Sequence, residues 1–309
     1  MAFRFTLRQL EYFVAVCDAG SIAAASQLVN VSSPSISTAI SQLENVFGLE
    51  LFVRQYARGL SLTPGGRRFY SAAKEVLEGA GGLHDVAGEI SGEVRGPISV
   101  GSLMTVAPFV LPELRKEFQA QHPLVTFQQA EGHQTDLIRM LRRADIDIAV
   151  TYDLEIPNDI AFEALLPMPP CALLGVDHPL ASASAVSLGA LADEPLILLD
   201  LPLSRDYFMS LFQRLDLHPR IEARTPNVSM VHAMVANGIG YGLLNVPSRH
   251  TWSPDGKPLR YVPIKDEARP MQLGLATMRA DRKSRILSAF EEHCRKMVAF
   301  LTVFGSARG

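Results

Sequence analysis

The stretch GSIAAASQLVNVSSPSISTAISQLENVFG, residues 20–48, constrains the fold more than any other part of this 309-residue chain. Gly20 can stop a helix and Ser21 can cap the next one, IAAASQLV. After a short turn at 30–31, Ser32 can cap a further helix with Pro34 in its first turn, where a missing N–H costs nothing. Upstream, Leu7, Leu10, Phe13, Val14 and Cys17 have helical spacing. The small residues Ala24 and Ala25, with Leu28, let two helices pack closely. Two helices joined by a tight turn, with a third behind them, form a helix-turn-helix.

The last of these helices is unusual in composition. Between Ser32 and Gln42 it has five serines and a threonine and no charge. Ile36, Ile40, Leu43, Val46 and Phe47 form its apolar face, so Ser33, Ser37, Thr38, Ser41 and Gln42 lie mainly away from it. Such hydroxyls and amides can hydrogen-bond base edges and phosphates in a DNA major groove. Taken alone, the row fits a solvated surface equally well. The next segment, LELFVRQYARGLSLTPGG at 49–66, reads as a hairpin, LELF then LSLT, turning at 56–59 with Arg54 and Arg58 near its tip. A basic hairpin beside such a helix is a wing that can lie on a nucleic-acid backbone.

Residues 66–95 read as one helix. Phe69, Ala73, Val76, Ala80, Leu83, Ala87 and Ile90 alternate spacings of four and three, a heptad seam able to pair two copies. The alternative is a helix buried on its own C-terminal region. Gly79, Gly81 and Gly82 weaken the helix, by about 1 kcal/mol each, and place a kink near residue 80. From Gly96 onward, apolar strand-like runs alternate with amphipathic helices, which argues α/β units with mostly parallel sheets. Ligands in such sheets sit beyond the strand C-termini, at helix N-termini. The candidates there are Ser102, Thr105, His133, Gln134, Thr135, Ser204, Arg205, Asn227 and Ser229. Hydroxyls at helix starts favour an anion, and Arg205 could grip a carboxylate. Ordinary N-capping is the lesser alternative for Ser102, Thr105, Thr135 and Ser229, whereas a surface ion pair accounts at least as well for Arg205.

Several classes are disfavoured. The net charge of −3 excludes a globally basic binder and leaves room for a local basic face. Three scattered cysteines, Cys17, Cys171 and Cys294, argue against a disulfide framework, with a redox-sensing pair as the alternative. MAFRFTLRQLEYFVAV is interrupted by Arg8, Gln9 and Glu11, so it does not read as a signal peptide, and no apolar run is long enough to span a membrane. A cytoplasmic protein with no membrane partner is expected. Gly238-x-Gly240-x-Gly242 reads as a helix stop and tight turn rather than a nucleotide loop. No metal-type pairing, nucleophile elbow or paired carboxylates emerge, so no metal, cofactor or enzymatic activity is expected.

The chain resembles the LysR-type transcriptional regulators. The residues that carry the likeness are LRQLEYFVAVCDAGSIAAASQLVNVSSPSISTAISQLENVFGLELFVR, then RGLSLTPGG, EGHQTDLIRMLRRADIDIAV and MVHAMVANGIGYGLL. The resemblance implies a winged helix-turn-helix at 1–65, a linker and dimerisation helix at 66–95, and an effector-binding domain at 96–305. That last domain would be a periplasmic-binding-protein-like α/β fold, with subdomain I at 96–164 and 268–305 and subdomain II at 168–264. Its crossing strands would lie near 160–168 and 264–271. Ser33, Pro34, Ser37, Thr38 and Gln42 would face operator DNA, with Arg54 and Arg58 on the backbone. The implied partners are double-stranded promoter DNA, an organic-acid effector in the C-terminal cleft, further copies of the chain in a dimer or tetramer, and RNA polymerase. The rival readings are an α/β small-molecule enzyme or a solute-binding protein carrying an accessory N-terminal domain. The family commonly has Gln where Ser33 stands and Arg or Lys where Thr38 stands, which implies fewer direct base contacts here. Residues 1–65 carry only Arg4, Arg8, Arg54 and Arg58 against Glu11, Asp18, Glu44 and Glu50. One copy should therefore bind DNA weakly, and several should act together.

Overall fold

The computed structural model describes residues 3–55, 59–245, 251–280 and 283–301. Arg58 and the C-terminal limit at 305 lie outside the described residues, and the side chain of Arg54 is likewise not described. The chain divides into two compact units, Met1–Gly92 and Glu93–Gly309.

In the first unit, helix α1 (Leu7–Ala19) starts with a capping box, in which Thr6 and Gln9 each satisfy the other's backbone N–H. It stops at Gly20, whose φ of 71° is the left-handed conformation that glycine adopts without strain. Ser21 caps α2 (Ile22–Leu28), and Ser32 caps α3 (Ser33–Phe47) with Pro34 in its first turn. Between them the hydroxyl of Ser26 donates to the carbonyl of Val31 at 2.6 Å, which holds the tight turn. Strands β1 (Phe52–Gln55) and β2 (Gly59–Leu62) form an antiparallel hairpin in which Phe52 faces Leu62. Thr63 caps α4 (Pro64–Ser91), which is helical throughout, Gly79, Gly81 and Gly82 included. One core packs Leu10, Phe13, Leu43, Leu51 and Ala73; a second packs Val16, Ala25, Ile36 and Ile40.

Two expectations need correction here. The hairpin does not begin at residue 49, because Leu51 is fully buried as a core plug and pairing starts only at Phe52. The seam on α4 is not one surface. Phe69 and Ala73 pack on α1 and α3 of the same unit, whereas Val76, Leu83, Val86 and Ile90 are exposed.

The second unit runs β3 (Gly96–Leu103), α5 (Ala107–Gln121), β4 (Val125–Gly132), α6 (Gln134–Arg142), β5 (Ile148–Tyr152) and β6 (Ile160–Met168). It continues with β7 (Cys171–Gly175), α7 (Leu188–Leu191), β8 (Leu196–Leu199), α8 (Ser204–Gln213), β9 (Ile221–Thr225) and α9 (Val228–Ala236). It ends with β10 (Gly242–Leu244), β11 (Leu259–Pro263), β12 (Met271–Met278) and α10 (Arg285–Leu301). A five-stranded sheet has the order β4-β3-β5-β12-β6. The other strands form β10-β7-β11 and the pair β8-β9, with a bridge from Leu196 to Tyr241 alongside. The sheets are mixed rather than mostly parallel. β3 runs parallel to β4 and β5, but β12 returns antiparallel to β5 and β6, and β7 is antiparallel to both its neighbours.

The crossing near 160–168 also needs correction. β6 pairs with β12 along its whole length, from Ile160 opposite Met278 to Met168 opposite Met271. The chain therefore leaves the first sheet after Met168, at the prolines of 169–170, which lack the N–H that would continue a ladder. It returns between Pro263 and Met271. Gly238, with φ of 73°, turns the chain out of α9, and a Cβ on Gly240 would sit 2.2 Å from the Pro195 carbonyl oxygen. That segment is a helix stop and a close packing turn.

Candidate nucleic-acid interface and ligand cleft

On α3, Ile36, Ala39, Ile40 and Leu43 are buried. Pro34, Thr38, Ser41 and Gln42 are exposed on the other side, and Ser33 and Ser37 are half-buried beside them. The structure thus brings the predicted residues of this helix onto one uncharged face. Their hydrogen bonds set what each can offer. The Thr38 hydroxyl donates to the Pro34 carbonyl at 2.9 Å, which leaves its oxygen as an acceptor. Gln42 accepts from the side chain of Gln9 on α1 at 2.6 Å, a pairing that sequence spacing does not reveal. Arg54 stands in β1 opposite Leu60.

An open groove runs beside this face, lined by Ser21, Ser37 and Ser41 from the helices and by Glu50, Val53 and Leu60 near the hairpin. The Glu44 carboxylate also lines it, but one of its oxygens accepts the backbone N–H of Leu51 at 2.9 Å. The Tyr70 hydroxyl donates to Asp18 at 2.5 Å. Two of the four acidic groups of this region are therefore engaged in holding the fold.

In the second unit, a narrow cleft collects Thr105, His133, Gln134 and Ser204, with Tyr152 and Pro202 among its other walls. The lining residues follow the C-terminal ends of β3, β4, β5 and β8, where α/β sheets bind ligands. Gln134 is buried, and its side-chain amide donates to the Leu154 carbonyl. Burial pushes the Tyr152 phenol up, so it stays protonated. Sequence reasoning missed Tyr152, although it ends the strand DIAVTY at the same edge of the sheet.

Most of the remaining candidates lie outside the cleft. Ser102 is fully buried within β3, and its hydroxyl reaches only the adjacent Leu103 carbonyl at 3.4 Å. Thr105 lines the cleft but caps nothing, since α5 starts without a side-chain cap. Thr135 does not cap α6: His133 holds the cap position, where the Asp136 carboxylate accepts its N–H, and Thr135 is an exposed residue of the first turn. Arg205 points to Asp200 at 3.1 Å and Asp206 at 3.0 Å, so its charge is committed to ion pairs. Asn227 caps α9 by accepting the N–H groups of Ser229 and Met230, and Ser229 is exposed in the first turn. Neither lines the cleft. No group of metal-ligating side chains occurs among the described residues, and no described helix is long and apolar enough to cross a membrane.

Comparison with known proteins agrees with this architecture. Residues 7–67 match the family model of bacterial regulatory helix-turn-helix proteins of the lysR family, and residues 91–299 match that of the LysR substrate binding domain. YvbU, an HTH-type transcriptional regulator of Bacillus subtilis, is 30% identical over 242 residues, covering 78% of this chain and 81% of that protein. HinK, a LysR family transcriptional regulator from Pseudomonas aeruginosa, is 36% identical, covers 96% of this chain and 99% of its own, and has a TM-score of 0.66. CbnR, solved in complex with its target DNA, shares the fold at 21% identity and a TM-score of 0.64, over 94% of this chain and 99% of its own. The match of both family models, together with relatives of this identity and coverage, means that the chain belongs to the LysR family of DNA-binding transcriptional regulators, with an N-terminal helix-turn-helix domain and a C-terminal effector-binding domain.

Proposed function

We propose that α3 is the recognition helix, and that Ser33, Pro34, Ser37, Thr38 and Gln42 face operator DNA while Arg54, with Arg58, meets the backbone. The carrying observation is the uncharged row of Pro34, Thr38, Ser41 and Gln42, exposed opposite a buried apolar face. Short polar side chains let the helix backbone approach the groove closely. The complex of CbnR with DNA supports the reading by likeness of fold. With four arginines balanced by four acids in residues 1–65, one copy neutralises few phosphates. The protein therefore acts as a dimer joined along the exposed stripe of α4, and as a tetramer of such dimers, in the cytoplasm and upstream of RNA polymerase.

The effector is a small organic acid held in the cleft. The lining residues include no Arg or Lys, so the N-termini of α6 and α8 and the side chains of Thr105, His133 and Ser204 supply the polar contacts. Binding there shifts the two subdomains and, through the oligomer, the bend of the operator.

The test is binding of the purified protein to the DNA upstream of its own gene, against a scrambled duplex, over a salt series. Preference for the native duplex with a steep salt slope is expected; equal weak binding to both counts against specific recognition there. Arg54→Ala should weaken binding to all sequences alike and flatten the slope. A thermal-shift panel of small carboxylic acids, repeated on Ser204→Ala, tests the cleft.

A further inference from the structure

We propose that Gln9 is a positioning residue for specificity: it fixes the side-chain amide of Gln42 so that Gln42 presents N–H donors, not its carbonyl, to DNA. The inference rests on the reading of α3 as the DNA-facing helix. It starts from a group whose polarity is not adjustable. The backbone N–H of Thr6 can only donate, and it meets Oε1 of Gln9 at 2.8 Å. The Thr6 hydroxyl lies 3.3 Å from the same oxygen. Turning the Gln9 amide over would set an NH2 against an N–H, so its orientation is fixed by the capping box. Nε2 of Gln9 then lies 2.6 Å from Oε1 of Gln42. Gln42 must accept with its oxygen, which is therefore drawn toward α1. Its NH2 is left over, on an exposed residue of the recognition face.

The consequence is chemical. An unconstrained glutamine reads adenine with both ends of its amide, accepting from N6–H and donating to N7. A glutamine whose oxygen is already engaged loses half of that pairing. Gln42 should therefore favour acceptor-rich edges, such as guanine O6 and N7 or thymine O4, over edges that present an amino group.

The experiment is selection of binding sites from random duplexes by the full-length protein and by Gln9→Glu, Gln9→Leu and Gln42→Ala. Gln9→Glu keeps the capping box, since a carboxylate accepts the Thr6 N–H equally well. A carboxylate accepts only, so Gln42 must turn its NH2 inward and show its oxygen to DNA. The native protein should prefer guanine or thymine at one operator position, and Gln42→Ala should flatten that position. Gln9→Glu should move it toward adenine or cytosine, on the order of tenfold. Gln9→Leu, which releases the amide, should relax the choice between guanine and adenine. The added charge lowers affinity for every duplex, so the readout is the ranking of bases rather than the affinity. If Gln42→Ala flattens the position but both Gln9 variants keep the native ranking, the positioning role is overturned and the DNA-facing role of α3 stands. If Gln42→Ala changes no position, both are overturned at this residue. Matching melting curves for the variants exclude misfolding as the cause.

Discussion

The carboxylate of Glu44, near the end of α3, accepts the backbone N–H of Leu51 at 2.9 Å. It ties α3 to the entry of the hairpin at the point where Leu51 fills the core. The bond is charge-assisted and partly shielded, which places it among the stronger intramolecular hydrogen bonds. Glu44→Ala should destabilise the N-terminal unit by about 1–2 kcal/mol and speed amide exchange at Leu51 and along β1. Exchange in the second unit should not change. Hydrogen exchange with residue resolution checks both halves of this expectation.

The thiols differ by environment. Burial pushes Cys171 and Cys294 each up to about 12, and they sit in two separate cores. Cys17 is half-buried on α1. The thiolate is the reactive form, so Cys171 and Cys294 should be inert in the folded protein. Titration with a disulfide reagent near neutral pH should modify Cys17 first and reach the other two only after unfolding. Rapid modification of Cys171 or Cys294 in the native state would contradict this and revive a redox-sensing role.

What the sequence disclosed and what it hid follow from the range of the interactions involved. The helices around the turn were legible because each cap, Ser21 or Ser32, acts within three residues. The Gln9–Gln42 pair was not, because its partners are 33 positions apart and both look like ordinary surface glutamines. The hairpin was placed three residues early because Leu49, Leu51 and Phe52 are all apolar, and only packing shows that Leu51 is a core residue. On α4, period alone could not tell a contact with α1 from a contact with another copy, so Phe69 and Val76 read alike. The cleft was half legible. Strand ends pointed to Thr105, His133 and Ser204, but the neighbouring acids Asp200 and Asp206 took Arg205 out of it.

The second unit should lose stability on mild acidification. Burial lowers His293 and His232 below the ordinary 6.5, so each is harder to protonate in the folded state than in the unfolded chain. The unfolded chain then binds more protons than the folded one just below that pH. The contribution is fully present above about pH 6.5 and is lost as pH falls through and below it. Glu163 is lowered by its bidentate hydrogen bonds from Arg295, at 2.6 and 2.8 Å, so its contribution persists until pH drops below about 4.5 and is then lost as well. Urea midpoints should therefore be flat near pH 8, decline from about pH 6.5, and decline further below about pH 4.5. His293 packs against Phe118 and Phe290, and its Nε2 is buried without a hydrogen-bond partner among the described residues. His293→Asn should lower stability at every pH and flatten the decline between pH 7 and 5.5. An unchanged slope would assign the acid sensitivity elsewhere.

The two halves of the α4 seam should respond differently to substitution. Val76, Leu83 and Ile90 are 45%, 68% and 84% exposed and seven residues apart, which is a heptad stripe left exposed by the described residues of its own unit. Phe69 instead packs edge-on to Phe13 at 5.3 Å and Phe47 at 4.8 Å. Leu83→Glu should leave the fold of one copy intact, because the side chain already meets solvent there. It should place like charges across a dimer seam and drive the mass in solution toward the monomer. With half the phosphate contacts per complex, the slope of log affinity against log salt should fall by about half. Phe69→Ala should do the reverse, costing roughly 3 kcal/mol of stability in the N-terminal unit, the low end for a Phe that is only half-buried, while leaving association to the exposed stripe. Light scattering across a concentration series, paired with denaturant melts of both variants, separates the two. A dimer that survives Leu83→Glu at micromolar concentration would mean that the exposed stripe of α4 is not the seam.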